Sequence, residues 1–300
     1  MPDGVLGEKA SPLEKAILDS LDGLLLAFEL EPLGEDRFRV VSEPGRFDRV
    51  FGGQMVAQAL LGASATVSGK DPHSLHAYFA EAGDTTQPLD LAVERVRDGR
   101  SMSTRRVTVR QAESTLLILD ASFHANRADP VVAPPAPSSP GPDGLPLLQD
   151  WVVERVDARS WVDRPPPLDL RIGEAPSFMG GPPGTDARSH YMRLPRDVGD
   201  DAMLHTALLT YASDYLLLDM AFRGHPDMGL QPFVAFSLDH ALWLHRPVRF
   251  ERWHLHTQEM VALVGDRGLI RGAIHSEEGH LVATVMQEVL VRPVRRPPGE

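Results

Sequence analysis

Hydrophobic positions along this chain fall into helical and strand-like spacings, and the order of those spacings occurs twice. In the first half, Leu24–Leu30 and Arg37–Val41 read as strands, and Phe51 to about Ser68 reads as a helix opened by the Gly52-Gly53 pair. Strands are expected at His73–Ala80, Leu89–Val96, Met102–Gln111 and Thr115–His124, with Arg97-Asp98-Gly99-Arg100 as a hairpin turn. In the second half a loop-rich lead-in around Ser177–Arg188 precedes a helix over about Ala202–Phe222. Strands follow at Phe233–Leu242, Trp253–Val264, Gly268–His275 and Leu281–Val291.

The repeat is an internal duplication with diverged side chains: Ser74-Leu75-His76 lines up with Ser237-Leu238-Asp239. Between the halves, Arg127–Pro146 holds seven prolines, which exclude a helix or a central strand and predict an extended linker. The predicted organisation is an N-terminal unit over 1–126, a proline-rich linker over 127–150 and a C-terminal unit over 151–300. One long helix followed by antiparallel strands predicts an α+β unit in which a curved sheet wraps a central helix. Two such units can pair their sheets edge to edge and so remove exposed edge strands.

Composition narrows the chemistry. A formal charge of −12 over 300 residues argues against nucleic acid or an anionic membrane as the main partner. With no cysteine, thiol nucleophiles, disulfides and Cys-ligated metals are excluded. No Gly-x-Ser-x-Gly elbow, Gly-x-Gly-x-x-Gly turn or Gly-Lys-Ser/Thr loop occurs, which argues against an α/β serine hydrolase and against nucleotide cofactors. His254 and His256 share a strand face near His245 and His240 but lack a Cys or Glu at ligand spacing, so no metal is expected. Apolar runs are too short for a membrane span, and the N-terminus lacks a signal-peptide pattern; a cytoplasmic protein is expected.

Asp214 is the most informative residue. It sits in a helical stretch that is apolar nearly all round, stacked with Ala207, Tyr211, Leu217, Leu218 and Ala221, and no Lys or Arg lies three or four positions away. Asp219, by contrast, has Arg223 four residues on and reads as a surface pair. A buried unpaired carboxylate is costly, and chains tolerate that cost where the group does chemistry. Alternation places Gln287 on the apolar face of the last strand with Leu281, Ala283, Val285 and Val289, and Ser237 on one face with Phe233, Ala235 and Ala241. Asp214, Ser237 and Gln287 together suit holding and deprotonating one water. The competing reading is structural: Ser237 and Gln287 merely satisfy the buried acid. Asp239-His240 is a weaker acid–base candidate, because strand neighbours face opposite ways. Phe236 reads as core. Gly52, Gly53 and Gln54 open the first-half helix, where free N–H groups and the helix dipole could hold an oxyanion or where glycine could simply allow a sharp turn.

Several blocks carry a family resemblance. Val50-Phe51-Gly52-Gly53-Gln54, His73-Ser74-Leu75-His76-Ala77-Tyr78-Phe79, Glu94-Arg95-Val96-Arg97-Asp98-Gly99-Arg100-Ser101, Tyr211-Ala212-Ser213-Asp214, Ser237-Leu238-Asp239-His240-Ala241-Leu242-Trp243, His245-Arg246-Pro247 and Gln287-Glu288 resemble the acyl-CoA thioesterase II family. The resemblance spans about residues 20–293. It implies a double hotdog fold, hydrolysis of acyl-CoA to free fatty acid and CoA without a cofactor, and a catalytic Asp, Thr/Ser and Gln at Asp214, Ser237 and Gln287. It also implies a homo-oligomer, since hotdog units commonly assemble further. The chain departs from the family where Glu81-Ala82-Gly83-Asp84 replaces an Arg-Pro-Gly-Asp run, and where Leu244 replaces an aromatic. Two other readings stand beside hydrolysis: a non-catalytic acyl-CoA-binding protein and an enoyl-CoA hydratase.

Overall fold

The structure is a computed structural model that describes residues 11–44, 48–125, 132–152, 159–226 and 233–294. Its first elements are helix α1 (Pro12–Ala27), strands β1 (Glu31–Gly34) and β2 (Arg37–Val40), helix α2 (Gly52–Ser64), and strands β3 (Asp71–Phe79), β4 (Leu89–Asp98), β5 (Met102–Gln111) and β6 (Ser114–His124). Then come a short α3 (Ser160–Asp163), β7 (Asp169–Ile172), β8 (Arg188–Arg193), α4 (Ala202–Ala212) and α5 (Leu217–Arg223). The chain ends on β9 (Phe233–Ser237), β10 (Asp239–Leu244), β11 (His254–Val264), β12 (Arg267–Ser276) and β13 (Leu281–Pro293).

The strands form one continuous sheet in the order β1-β2-β4-β5-β6-β3-β10-β13-β12-β11-β8-β7, with β9 also paired to β13. The halves meet where β3 runs antiparallel to β10, with Tyr78 opposite Asp239 and Ser74 opposite Trp243. This junction converts two sheet edges into a paired interior. Alternation builds the core. Along β13 the inner face carries Ala283, Val285, Gln287, Val289 and Val291, all buried, while the residues between them are only partly so.

Three expectations change. Leu24–Leu30 is not a strand: Leu24 to Ala27 form the last turn of α1, which buries Ile17, Leu21, Leu24 and Ala27 at helical spacing. Its start was legible, since Ser11 and Glu14 form a reciprocal capping box. The helix expected over 202–222 breaks into α4 and α5 around Ser213–Leu216. The strand expected over 233–242 breaks at Leu238 into β9 and β10. Strands β1, β7 and β8 complete the sheet beyond the elements expected from periodicity.

The helices do not pack equivalently. Helix α2 lies on β2–β6, α5 lies on β9 and β11–β13, and α4 packs against α2. Part of the expected linker, 127–131, lies outside the described residues. Within the rest, Ala136 N–H donates to Gly279 O, and Leu147 bridges to Arg171.

Candidate active site

The break between α4 and α5 has a local cause. Thr210 Oγ1 donates to Thr206 O and Ser213 Oγ donates to Thr210 O, at 2.8 and 2.7 Å. Hydroxyls bonded back to the preceding turn compete with the helix ladder and bend it. Leu216 then adopts φ 65°, a left-handed conformation that costs a leucine roughly 1–3 kcal/mol. Burial of Leu216 and a 2.7 Å bond from Gln258 Nε2 to Tyr215 O hold it there.

This break aims Asp214 at the start of α2, which belongs to the other half. Phe51, the N-cap of α2, offers no side-chain cap. Instead Gly53 N–H donates to Asp214 Oδ2 at 2.8 Å. The helix start favours an anionic carboxylate and supplies the partner missing from the sequence neighbourhood of Asp214. Glycine is required by proximity: a Cβ on Gly53 would lie 2.4 Å from Tyr211 O, and one on Gly52 would lie 2.8 Å from Asp214 Oδ2. The Gln54 side chain turns away, with Oε1 accepting from Glu43 N–H and Nε2 donating to Gln58 Oε1.

Asp214 and Ser237 line one cavity of about 510 Å³, with Gly52 at its wall. That volume is typical of a small-molecule site. The remaining wall is largely apolar and aromatic, including Met55, Phe79, Trp161, Phe178, Leu218 and Phe222, while the exposed Arg49 and Glu81 also line it. Phe236, expected in the core, is 40% exposed and lines the cavity.

Behind Ser237 lies a chain of polar contacts. Ser237 Oγ and Gln287 Nε2 are 2.7 Å apart, Gln287 Oε1 and His240 Nδ1 are 2.5 Å apart, and His240 Nε2 and Ser213 Oγ are 2.9 Å apart. Gln287 and His240 are buried. The break at Leu238 explains why alternation did not put His240 on the side of Ser237. An unbroken strand would put Ser237 and His240 on opposite faces; one residue outside the ladder reverses the parity and turns both inward. For the same reason Ala241 does not share the inner face of Ser237. Asp239 serves the break, accepting from Glu288 N–H at 2.6 Å, and burial pushes its carboxyl above the ordinary range.

Asp219 is not in a surface pair with Arg223. It is buried, with Oδ2 only 2.7 Å from Arg188 Nη1 and accepting from Ser177 N–H, whereas Arg223 Nε donates to Glu174. The first half has no second acid at the corresponding place. Thr66 follows the end of α2 as Asp214 follows that of α4, and buried Arg105 covers it, donating to Thr66 Oγ1 at 2.7 Å and to Asp98 Oδ1 at 2.7 Å.

Family models match two separate stretches of the chain. The family model described as Acyl-CoA thioesterase matches residues 168–290, and that described as Acyl-CoA thioesterase N-terminal domain matches residues 42–124. Acyl-CoA thioesterase 2 of Haemophilus influenzae is 32% identical over 91% of this chain and 98% of its own length. The solved acyl-CoA thioesterase II TesB2 of Mycobacterium marinum is 32% identical, with a TM-score of 0.75 over 93% of this chain and all of that one. A hot dog fold protein from Alicyclobacillus acidocaldarius, at 18% identity, superposes with a TM-score of 0.71 over 91% of this chain and 98% of its own. The architecture is a double hotdog.

Proposed function

The chain belongs to the acyl-CoA thioesterase family and is a thioester hydrolase, and on that premise we propose that Asp214 is the general base that activates water for attack on acyl-CoA. The observation that carries this reading is the placement of Asp214, held by Gly53 N–H and facing an apolar cavity beside Ser237. A water between Asp214 and Ser237 gives a proton to the carboxylate as its oxygen attacks the thioester carbonyl carbon. The C–S bond then breaks, and the proton passes from Asp214 to the leaving thiolate. Free fatty acid and CoA result.

Gly53 N–H is occupied by the base, so we assign the developing oxyanion to the helix start at Gly52, which lines the cavity, with the dipole of α2 adding to it. Gln287 supports Ser237 from behind. The largely apolar cavity accepts the acyl chain. No step needs a cofactor.

Thiol release from acyl-CoA esters of increasing chain length tests the reading. Turnover with a preferred length supports it; tight acyl-CoA binding without thiol release, or hydration of an enoyl-CoA in its place, overturns it. Self-association is part of the proposal, supported by Tyr78 and Ile118, which are paired neighbours left 68% and 42% exposed on the sheet. A gel-filtration mass equal to the 32.9 kDa monomer would defeat it. The described residues contain no helix long and apolar enough to cross a membrane. A cytoplasmic location is likewise proposed, and cell fractionation tests it.

A further inference from the structure

We infer that His240 is a positioning residue that fixes the direction of every hydrogen bond between the helix end at Thr210 and the attacking water; the inference rests on the water-activation reading above. Proton counting carries it. Thr210 O can only accept, and Ser213 Oγ lies 2.7 Å from it. Two oxygens that close repel unless a hydrogen lies between them, so the single Ser213 hydrogen points to Thr210 O. Ser213 Oγ must then accept from His240, so His240 Nε2 carries a hydrogen across the 2.9 Å contact.

His240 Nδ1 is left with two options toward the Gln287 amide 2.5 Å away. If the amide oxygen faces it, Nδ1 must also carry a hydrogen and the ring is an imidazolium. Among the described residues no ion pair to the His240 ring is formed; the adjacent Asp239 carboxylate interacts with it only at longer range and is itself engaged by Glu288 N–H, and the ring is 1% exposed. Burying that charge unpaired is costly. If the amide is turned over, which exchanges its oxygen and nitrogen without moving the neighbours, Gln287 Nε2 donates to a neutral Nδ1 and every group is satisfied. The second arrangement is the one we assign.

Its consequence reaches the cavity. Gln287 Oε1 then faces Ser237 Oγ across the 2.7 Å contact and takes the Ser237 hydrogen. Ser237 offers only lone pairs to the cavity, as does the Asp214 carboxylate. A water between them must give one hydrogen to each, which leaves its own lone pair directed at the thioester carbonyl. The same direction keeps the Ser237 hydrogen away from Asp214, so Ser237 orients the water rather than attacking.

Two-bond 1H–15N correlation spectra of the labelled protein at neutral pH test this, with the His240 signal assigned by its loss in His240→Asn. A neutral ring protonated at Nε2 is expected; protonation at Nδ1, or at both nitrogens, overturns the inference. In kinetics, His240→Leu should lower kcat by roughly 10–10²-fold with KM little changed, because a small misplacement of a group that positions the reactants costs up to about 10²-fold. His240→Asn, which keeps an acceptor for Gln287, should recover most of that loss. Full kcat in His240→Leu also overturns the inference, and the spectra stand if that variant does not fold. Asp214→Asn separates the two levels: full activity there defeats water activation itself, while an inactive Asp214→Asn with an Nδ1-protonated His240 defeats only this inference.

Discussion

Gly53 N–H donates to Asp214 Oδ2 across 2.8 Å and 161 positions of sequence. The bond joins the start of a first-half helix to the carboxylate at the end of a second-half helix. Each supplies what the other lacks: α2 has no side-chain cap of its own, and Asp214 has no basic neighbour in sequence. The candidate site therefore forms only where the two halves of the chain pack together.

Asp214→Asn keeps an acceptor for Gly53 N–H but removes the proposed base. Thiol release should fall by roughly 10²–10⁴-fold, with thermal unfolding little changed. Activity near wild type would rule out Asp214 as the base.

Gly53→Ala should damage both stability and turnover. The added Cβ would lie 2.4 Å from Tyr211 O and 3.1 Å from Asp214 Cβ, so α2 and α4 must separate. Overpacking of this kind costs about 1–3 kcal/mol, and the displaced carboxylate should lower kcat. Chemical denaturation and kinetics on the same preparation check it; an unchanged denaturation midpoint would show that the helices can absorb the methyl group.

Arg188→Met should be strongly destabilising, by about 3–5 kcal/mol, because it strands the buried Asp219 carboxylate 2.7 Å from where its counter-charge stood. Arg188→Met combined with Asp219→Leu should recover most of the loss, since no buried charge is left unpaired. A double variant as unstable as the single one would contradict this account.

Acid should destabilise the fold through its buried imidazoles. Burial holds His256 down to about 3 and His190 well below 6.5. The unfolded chain takes up these protons near pH 6.5 while the folded chain resists, so the stability they contribute is complete above that pH and is lost as pH falls toward 3. Thermal midpoints measured from about pH 7.5 to 4 should fall. His256→Leu should flatten that dependence, and an identical slope in the variant would disprove the role of His256.

Sequence determined the architecture and named the candidate chemical groups. Period-2 runs located most strands, and an acid in an apolar run singled out Asp214 as a candidate. Those signals are local: they depend on which side chains share a face. Tertiary structure decided what the groups touch. The break at Leu216 carries no glycine or proline to announce it, since packing rather than propensity holds that residue at positive φ. The irregularity at Leu238 reversed strand parity and brought His240 behind Gln287. Asp219 pairs with Arg188, far back along the chain, where spacing pointed instead to Arg223. Hydrogen bonds and ion pairs between distant segments depend on where the chain returns in space, and periodicity along the chain does not encode that return.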